Sequence, residues 1–307
     1  MSKDYNINNK IPKANSQSEL VKIINSEIKY FGLSLHGANP EGNQYMNYRL
    51  LVKYNDEILN IKIPTLSGDI RRNLRAIREY FWNESAVPRQ YIRDSIKREC
   101  EMHEKLKENG IPAFESRQNL IEFNDYLKER VFLTKYIPNT MNAANAVKDD
   151  NKDKTSHIIK ETAKRLSEIH NIGVYMVDSW LGNVGIVPKK GKGSEIIISD
   201  YEFTPNKKHS PELIKSRDIA QLVISCVSCS NLSEDRIIER FCDGYDLKKL
   251  FKLKGQLKHI IKYNENKLAK ESLIERKIRW LTYQNPVFGI GEEKVIDIEK
   301  KLLSYIS

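Results

Sequence analysis

His170-Asn-Ile-Gly-Val-Tyr-Met-Val-Asp178-Ser-Trp-Leu-Gly-Asn183, continuing through Val184-Gly-Ile-Val187 to Glu195-Ile-Ile-Ile-Ser-Asp200-Tyr-Glu202, is the stretch around which the 307-residue chain is organised. Asp178 and Asn183 are separated by four residues, enough for one tight loop to aim a carboxylate at a hydroxyl while an amide oxygen turns back toward a metal ion. The apolar runs on either side of Pro188–Ser194 predict a hairpin, with two glycines in its turn, that returns Asp200 to the neighbourhood of Asn183. Two oxygen ligands would then converge on one hard cation such as magnesium. Taken singly, each residue has a plainer reading: Asp178 and Asn183 as loop punctuation, Asp200 as the end of a strand.

Composition sets the bounds. With 40% hydrophobic residues, three Trp and fifteen Tyr the chain can form substantial cores, and with 30% charged residues its surface is strongly solvated. No apolar run is long enough to span a bilayer, and the polar, acid-containing N-terminus is unlike an export signal, so a cytoplasmic location is expected, with a peripheral position at a membrane left open. A net charge of +10 and a pI near 9.2 allow attraction to an anionic membrane surface, an anionic substrate or nucleic acid. No clear nucleic-acid motif accompanies the charge, and the short clusters, Lys248-Lys249 among them, read as solvated faces. Cys100, Cys226, Cys229 and Cys242 are too few and too uneven for a disulfide scaffold. Cys226-x-x-Cys229 lacks a second pair and a nearby His, and reads as packed thiols.

Ahead of the opening stretch, residues 1–17 read as frayed and Ser18–Lys29 as an amphipathic helix. A loop with Gly37 and Gly42 precedes a predicted hairpin of Tyr48–Tyr54 and Glu57–Ile63 around an Asn55-Asp56 turn. Thr65–Glu84 reads as a helix bearing Arg71, Arg72, Arg75 and Arg78. A further helix after Pro88 has the stripe Ile92, Ile96, Glu99, His103 and Leu106, which puts Glu99 in the buried row, where a carboxylate needs a partner. Lys62, on the second hairpin strand, reads by itself as an ordinary strand lysine, and Lys53 on the neighbouring strand is its rival for any further role. Strands are then predicted at Asn119–Phe123 and Arg130–Ile137. Pro138 and the polar run Val147–Lys154 mark a change from strands to helices.

Helices are predicted for Ser156–His170, from Lys215 onward, Ser233–Tyr245, Leu247–Tyr283 and Lys294–Ile306, with Gly289 and Gly291 breaking the last two apart. His170 reads as a structural residue tying the loop to its helix, and Asp218 as an acid at a helix N-terminus.

In their order along the chain, Lys62, Glu99, Asp178, Asn183, Asp200 and Asp218 resemble the protein-kinase-like superfamily. The compact members are most similar: lipopolysaccharide core sugar kinases, aminoglycoside and choline kinases, and small atypical Ser/Thr kinases. Asp200-Tyr-Glu202 is similar to the Asp-aromatic-Glu of sugar and choline kinases. Asp178-Ser-Trp-Leu-Gly-Asn183 resembles the loop of aminoglycoside and fructosamine kinases. The resemblance implies an α+β fold of two lobes, the first a small antiparallel sheet with one main helix, the second larger and mainly helical. The expected divisions are 1–29 as an N-terminal extension, 30–140 and 141–245 as the two lobes, and 246–307 as a helical extension.

The resemblance further implies a kinase using ATP and magnesium. Lys62, fixed by Glu99, would position the phosphates, with Gly37 and Gly42 over them and the backbone of Lys135, Tyr136 and Ile137 at the adenine. Asn183 and Asp200 would hold the metal, Asp178 would orient the acceptor hydroxyl, and Asp218 would support the loop from beneath. Met176 and Trp180 stand where protein kinases carry His and Lys, and the glycine loop departs from Gly-x-Gly-x-x-Gly. Only eighteen positions lead from Asp200 to Asp218, too few for a regulated peptide platform. The expected acceptor is therefore a sugar or lipid-linked glycan, against the alternatives of an atypical Ser/Thr protein kinase and a pseudokinase that transfers nothing.

Overall fold

The computed structural model describes residues 11–29, 47–64, 91–189, 191, 193–201, 205, 209–270 and 292–307. Gly37 and Gly42, the basic helix expected at 65–84, Glu202 and the end of the long helix expected to reach Tyr283 lie outside them. The chain divides into two compact units, residues 1–104 with 114–138, and residues 105–113 with 139–307.

Unit 1 is built on a four-stranded sheet in the order β1-β2-β3-β4, with β1 Lys13–Ala14, β2 Asn47–Tyr54, β3 Glu57–Pro64 and β4 Phe132–Lys135. The β2–β3 hairpin turns at Asn55, whose φ of 50° is one that Asn tolerates, and pairs Tyr54 with Glu57 and Arg49 with Lys62. Alternation along β3 sends Leu59, Ile61 and Ile63 to one face, where helix α1 (Gln17–Glu27) covers them with Leu20 and Ile24. The same alternation sends Lys62 to the opposite face. α1 starts at Ser16, whose hydroxyl accepts from Glu19 N.

Two expectations for this unit are corrected. Residues 13–14 are not frayed: they pair in parallel with Lys53 and Tyr54 and bury Ala14. Residues 119–123 are not a strand. Gln118–Ile121 is a 3-10 turn, and Asn124 caps helix α3 (Asp125–Lys128) by accepting from Leu127 N. The edge of β4 is instead occupied four residues earlier, through Arg117 N to Leu133 O, Lys135 N to Glu115 O and a bridge from Ser116 to Thr134. The Gln118 side chain fills the next position, accepting from Leu133 N and donating to Val131 O, and so satisfies backbone that a strand would otherwise have paired.

The helix α2, Tyr91–Glu108, ends where Gly110 takes a φ of 66° and Ile111 N returns to Leu106 O.

In unit 2, Met141–Asn142 (β5) pairs with the hairpin of β6 (Val184–Pro188) and β7 (Ser194–Ile198). The remaining elements are helices: α4 Ala143–Ala146, α5 Lys152–Asn171, α6 Pro211–Cys229, α7 Glu234–Tyr245, α8 Leu247–Lys270 and α9 Glu292–Tyr305. α5 buries Ile159, Ala163 and Leu166 against Ile238 and Phe241 of α7. The two helices meet at Gly244, where an added Cβ would sit 2.1 Å from the carbonyl oxygen of Lys160. α6 buries Ile219, Ala220, Leu222, Val223, Ile224 and Cys226. No helix among the described residues is long and apolar enough to cross a membrane.

Candidate functional site

In unit 1 the face of β3 opposite α1 carries a charge. Lys62 Nζ donates to Glu99 Oε2 at 2.7 Å, and both side chains are about 95% buried. The α2 stripe accounts for this arrangement, since Ile96, Glu99, His103 and Leu106 are all buried. Lys53, the rival candidate, is exposed. His103 stacks at a tilt on Phe132, 4.8 Å between ring centres, and donates from Nδ1 to the carbonyl oxygen of Phe114 at 3.2 Å. Burial, reinforced by the charge of Lys62, pushes the His103 imidazole down to about 4 although its hydrogen bond acts the other way. At the start of the crossing, Lys135 N donates to Glu115 O and Tyr136 N to Ile58 O, so these two amides are engaged inside the unit.

Unit 2 assembles the opening stretch. Asn183 N donates to Trp180 O, and the Asn183 side-chain nitrogen donates to the carbonyl of Asp178 at 2.9 Å, closing the loop on itself. With that nitrogen engaged, Asn183 Oδ1 is the atom left to accept, and it makes no hydrogen bond of its own among the described residues. The hairpin returns as expected, and Ser199 donates to Asn183 O from both its amide (2.9 Å) and its hydroxyl (3.2 Å). Asp200 follows at once, with a φ of 71°. Trp180 lies over Gly182, where a Cβ would come within 2.0 Å of the indole, so any other residue at 182 would have to displace the ring.

Beneath the loop, Asp218 is fully buried and takes three donors: Met176 N and Val177 N, both at 2.9 Å, and His170 Nε2 at 3.0 Å. Of the two readings of Asp218, an acid at a helix N-terminus and, from the resemblance, a support for the loop from beneath, the first is corrected. α6 begins at Ser210, whose hydroxyl accepts from Leu213 N, with Pro211 in the first turn, so Asp218 lies two turns inside the helix. Its carboxylate supports backbone, and the backbone needs support: Val177, a β-branched residue, has a φ of 63°, strained by about 1–3 kcal/mol.

His170 is structural, as its position before the loop predicts. Tyr245 donates its hydroxyl to Nδ1 at 2.6 Å while Nε2–H donates to Asp218. This arrangement needs the neutral ring, and burial lowers the His170 pKa in spite of the Asp218 carboxylate. Tyr245 went unnoticed in the sequence, although the adjacent Gly244 is a signal of close helix contact.

Cys226 and Cys229 are packed thiols, burial pushing both upward. No cluster of three His, Cys, Asp or Glu among the described residues is placed to hold a metal. One carboxylate and one amide oxygen nevertheless fit magnesium, which keeps waters and phosphate oxygens for the rest of its shell.

No protein-family model matches the sequence, and no curated protein matches it. Among solved structures the chain is similar to WaaP in complex with acyl carrier protein, at 13% identity over 84% of this chain and 92% of that one, with a TM-score of 0.45. It is also similar to the kinase domain of PknI from Mycobacterium tuberculosis, at 11% identity over 85% and 92%, TM-score 0.37. A third similar structure is the Helicobacter pylori proinflammatory kinase CtkA, at 10% identity over 88% and 96%, TM-score 0.32.

Proposed function

We propose that the chain is a kinase, transferring the γ-phosphate of ATP to an acceptor hydroxyl. The observation that carries this reading is the buried Lys62–Glu99 pair at 2.7 Å. A cation and a carboxylate taken out of water cost more than well-packed apolar side chains of the same size, so the pair is poorly explained as a device for stability alone. It is well explained as a cation held in one place for an anionic ligand.

Lys62 positions the phosphates and Glu99 fixes its ammonium. Asn183 Oδ1 and Asp200 would hold magnesium, which would supply charge neutralisation at the phosphates. Asp178 orients the acceptor hydroxyl and accepts its proton as the oxygen attacks phosphorus. Asp218, through Met176 N and Val177 N, holds the segment that ends at Asp178 in its strained shape. Positioning and charge neutralisation then supply most of the rate.

The acceptor class follows from the short segment between Asp200 and Asp218, together with Met176 and Trp180, which favour a sugar or lipid-linked glycan over a peptide. Incubation with magnesium and ATP labelled at the γ-position tests both levels. Label in a glycan fraction, lost in Asp178→Ala with the melting temperature unchanged, is expected. Label on protein would move the acceptor to Ser or Thr, and no label in any fraction would leave a binding module without transfer activity.

A further inference from the structure

Helix α8 differs in charge from the other helices of unit 2. Between Leu247 and Lys262 it has six lysines, and its first acid is Glu265. Helices α5, α6 and α7 open with acids in the first turn, Asp153, Glu212 and Glu234. α8 has none there and opens instead with Lys248 and Lys249, cations at the end of the helix where the dipole disfavours them. Lys249 has a structural use, donating to Ser167 Oγ at 3.1 Å and lying 3.7 Å from Asp246. Lys248, Lys252, Lys258 and Lys262 make no ion pair among the described residues. The neighbouring α9 differs: its Lys294 and Lys301 pair with Glu234, and Lys300 pairs with Glu265.

The unpaired lysines share a face with exposed apolar groups. Leu250, Leu253, Leu257, Ile260 and Ile261 define the buried side of α8. Helical periodicity puts Leu247 at the edge of that buried side and Phe251, one turn on, further round toward solvent; they are 50% and 61% exposed, and Lys254 Nζ lies 5.7 Å from the centre of the Phe251 ring. Their flanks are Lys248, Lys252, Lys258 and Lys262, and Gly255 beside them leaves open space.

We propose that this face of α8 is a docking surface for an anionic lipid bilayer. The lysines meet headgroup charge while Leu247 and Phe251 enter the boundary with the acyl chains. A nucleic-acid backbone would be met by the lysines alone and gives no reason to expose Leu247 and Phe251 beside them. The proposal is independent of the transfer chemistry, since none of these residues belongs to that machinery.

Sedimentation of the full chain with phosphatidylcholine vesicles, with and without phosphatidylserine, tests it. Binding is expected only with phosphatidylserine, and high salt should weaken it. Lys252→Glu with Lys258→Glu lowers partitioning on the order of 30-fold or more, at roughly a kilocalorie per lysine near an anionic surface. Leu247→Ser with Phe251→Ser also weakens binding, and the residue left over keeps its salt sensitivity. Because all four side chains are surface groups, unchanged melting temperatures show that the variants fold. Failure of the wild-type chain to bind phosphatidylserine vesicles overturns the proposal. So does binding that both folded variants retain, or retention of duplex DNA in place of vesicles.

Discussion

The buried carboxylates Glu99 of unit 1 and Asp218 of unit 2 are balanced in opposite ways. Glu99 faces a full positive charge on Lys62, presented by a strand and a helix of regular geometry. Asp218 faces no formal charge: its partners are two backbone amides and a neutral imidazole, and the backbone it grips is irregular. The first arrangement keeps a cation in place, and a ligand can use it. The second spends all of its hydrogen-bonding capacity on shape. On the proposed function Glu99 serves binding and Asp218 the architecture of the loop, and substitution should separate the two.

The largest effect is expected at Asp218. Asp218→Ala leaves two amides and an imidazole N–H buried without acceptors, each costing about 1–3 kcal/mol, and removes what holds Val177 in its left-handed conformation. Chemical denaturation should show a loss of at least about 4 kcal/mol, with transfer abolished. A variant as stable as the wild type would mean that the clamp is not structural.

Glu99→Ala comes next, because it strands the Lys62 charge in a buried site at a cost of about 3–5 kcal/mol. The contrast between the two carboxylates sharpens when the whole pair is replaced. Lys62→Met with Glu99→Leu should recover most of that stability while nucleotide binding stays lost. No apolar replacement at Asp218 should recover anything, since the amides would remain unpaired.

Acid acts on a smaller scale, and in unit 1 it acts through His103. The folded chain holds His103 near 4, whereas in the unfolded chain it titrates near its ordinary value of about 6.5. Between those values the unfolded state binds the proton and the folded state does not, so stability falls as the pH drops from about 6.5 toward 4. The loss from this residue is up to about 3 kcal/mol, and His103→Gln should remove it from a series of melting curves. The smallest expected effect is that of Tyr245→Phe, which leaves His170 Nδ1 without its donor and should cost about 1–2 kcal/mol by denaturation. A neutral outcome there would make the tyrosine packing alone.

The same contrast governs what was legible in the sequence. Whereas Lys62 read by itself as an ordinary strand lysine, its pairing with Glu99 legible only through the resemblance to kinases, Glu99 sits on an element with a strict period of 3.6, so spacing alone put it in a buried row that needed a partner. The hairpin that brings Asp200 back to Asn183 was legible for the same reason. Asp218 was placed at the wrong point of its helix because the apolar run masked the true start; Ser210-Pro211-Glu212, a cap followed by proline and an acid, is the signal that marks it. Residues 119–123 alternate like a strand, but Asn124 and Gln118 satisfy the backbone locally, and such side-chain-to-backbone bonds leave little trace in a hydrophobic pattern. The Tyr245–His170 contact joins residues 75 positions apart and depends on the close approach at Gly244, which no local pattern encodes.

Calorimetric titration of the chain with ATP, in the presence and absence of magnesium, tests the central claim most directly, because it asks whether Lys62 and Asp200 act on one nucleotide. Saturable binding that requires magnesium, and that is lost separately in Lys62→Met and in Asp200→Asn with both variants folded, is the expected result. Undiminished magnesium-dependent binding in either folded variant would contradict the account.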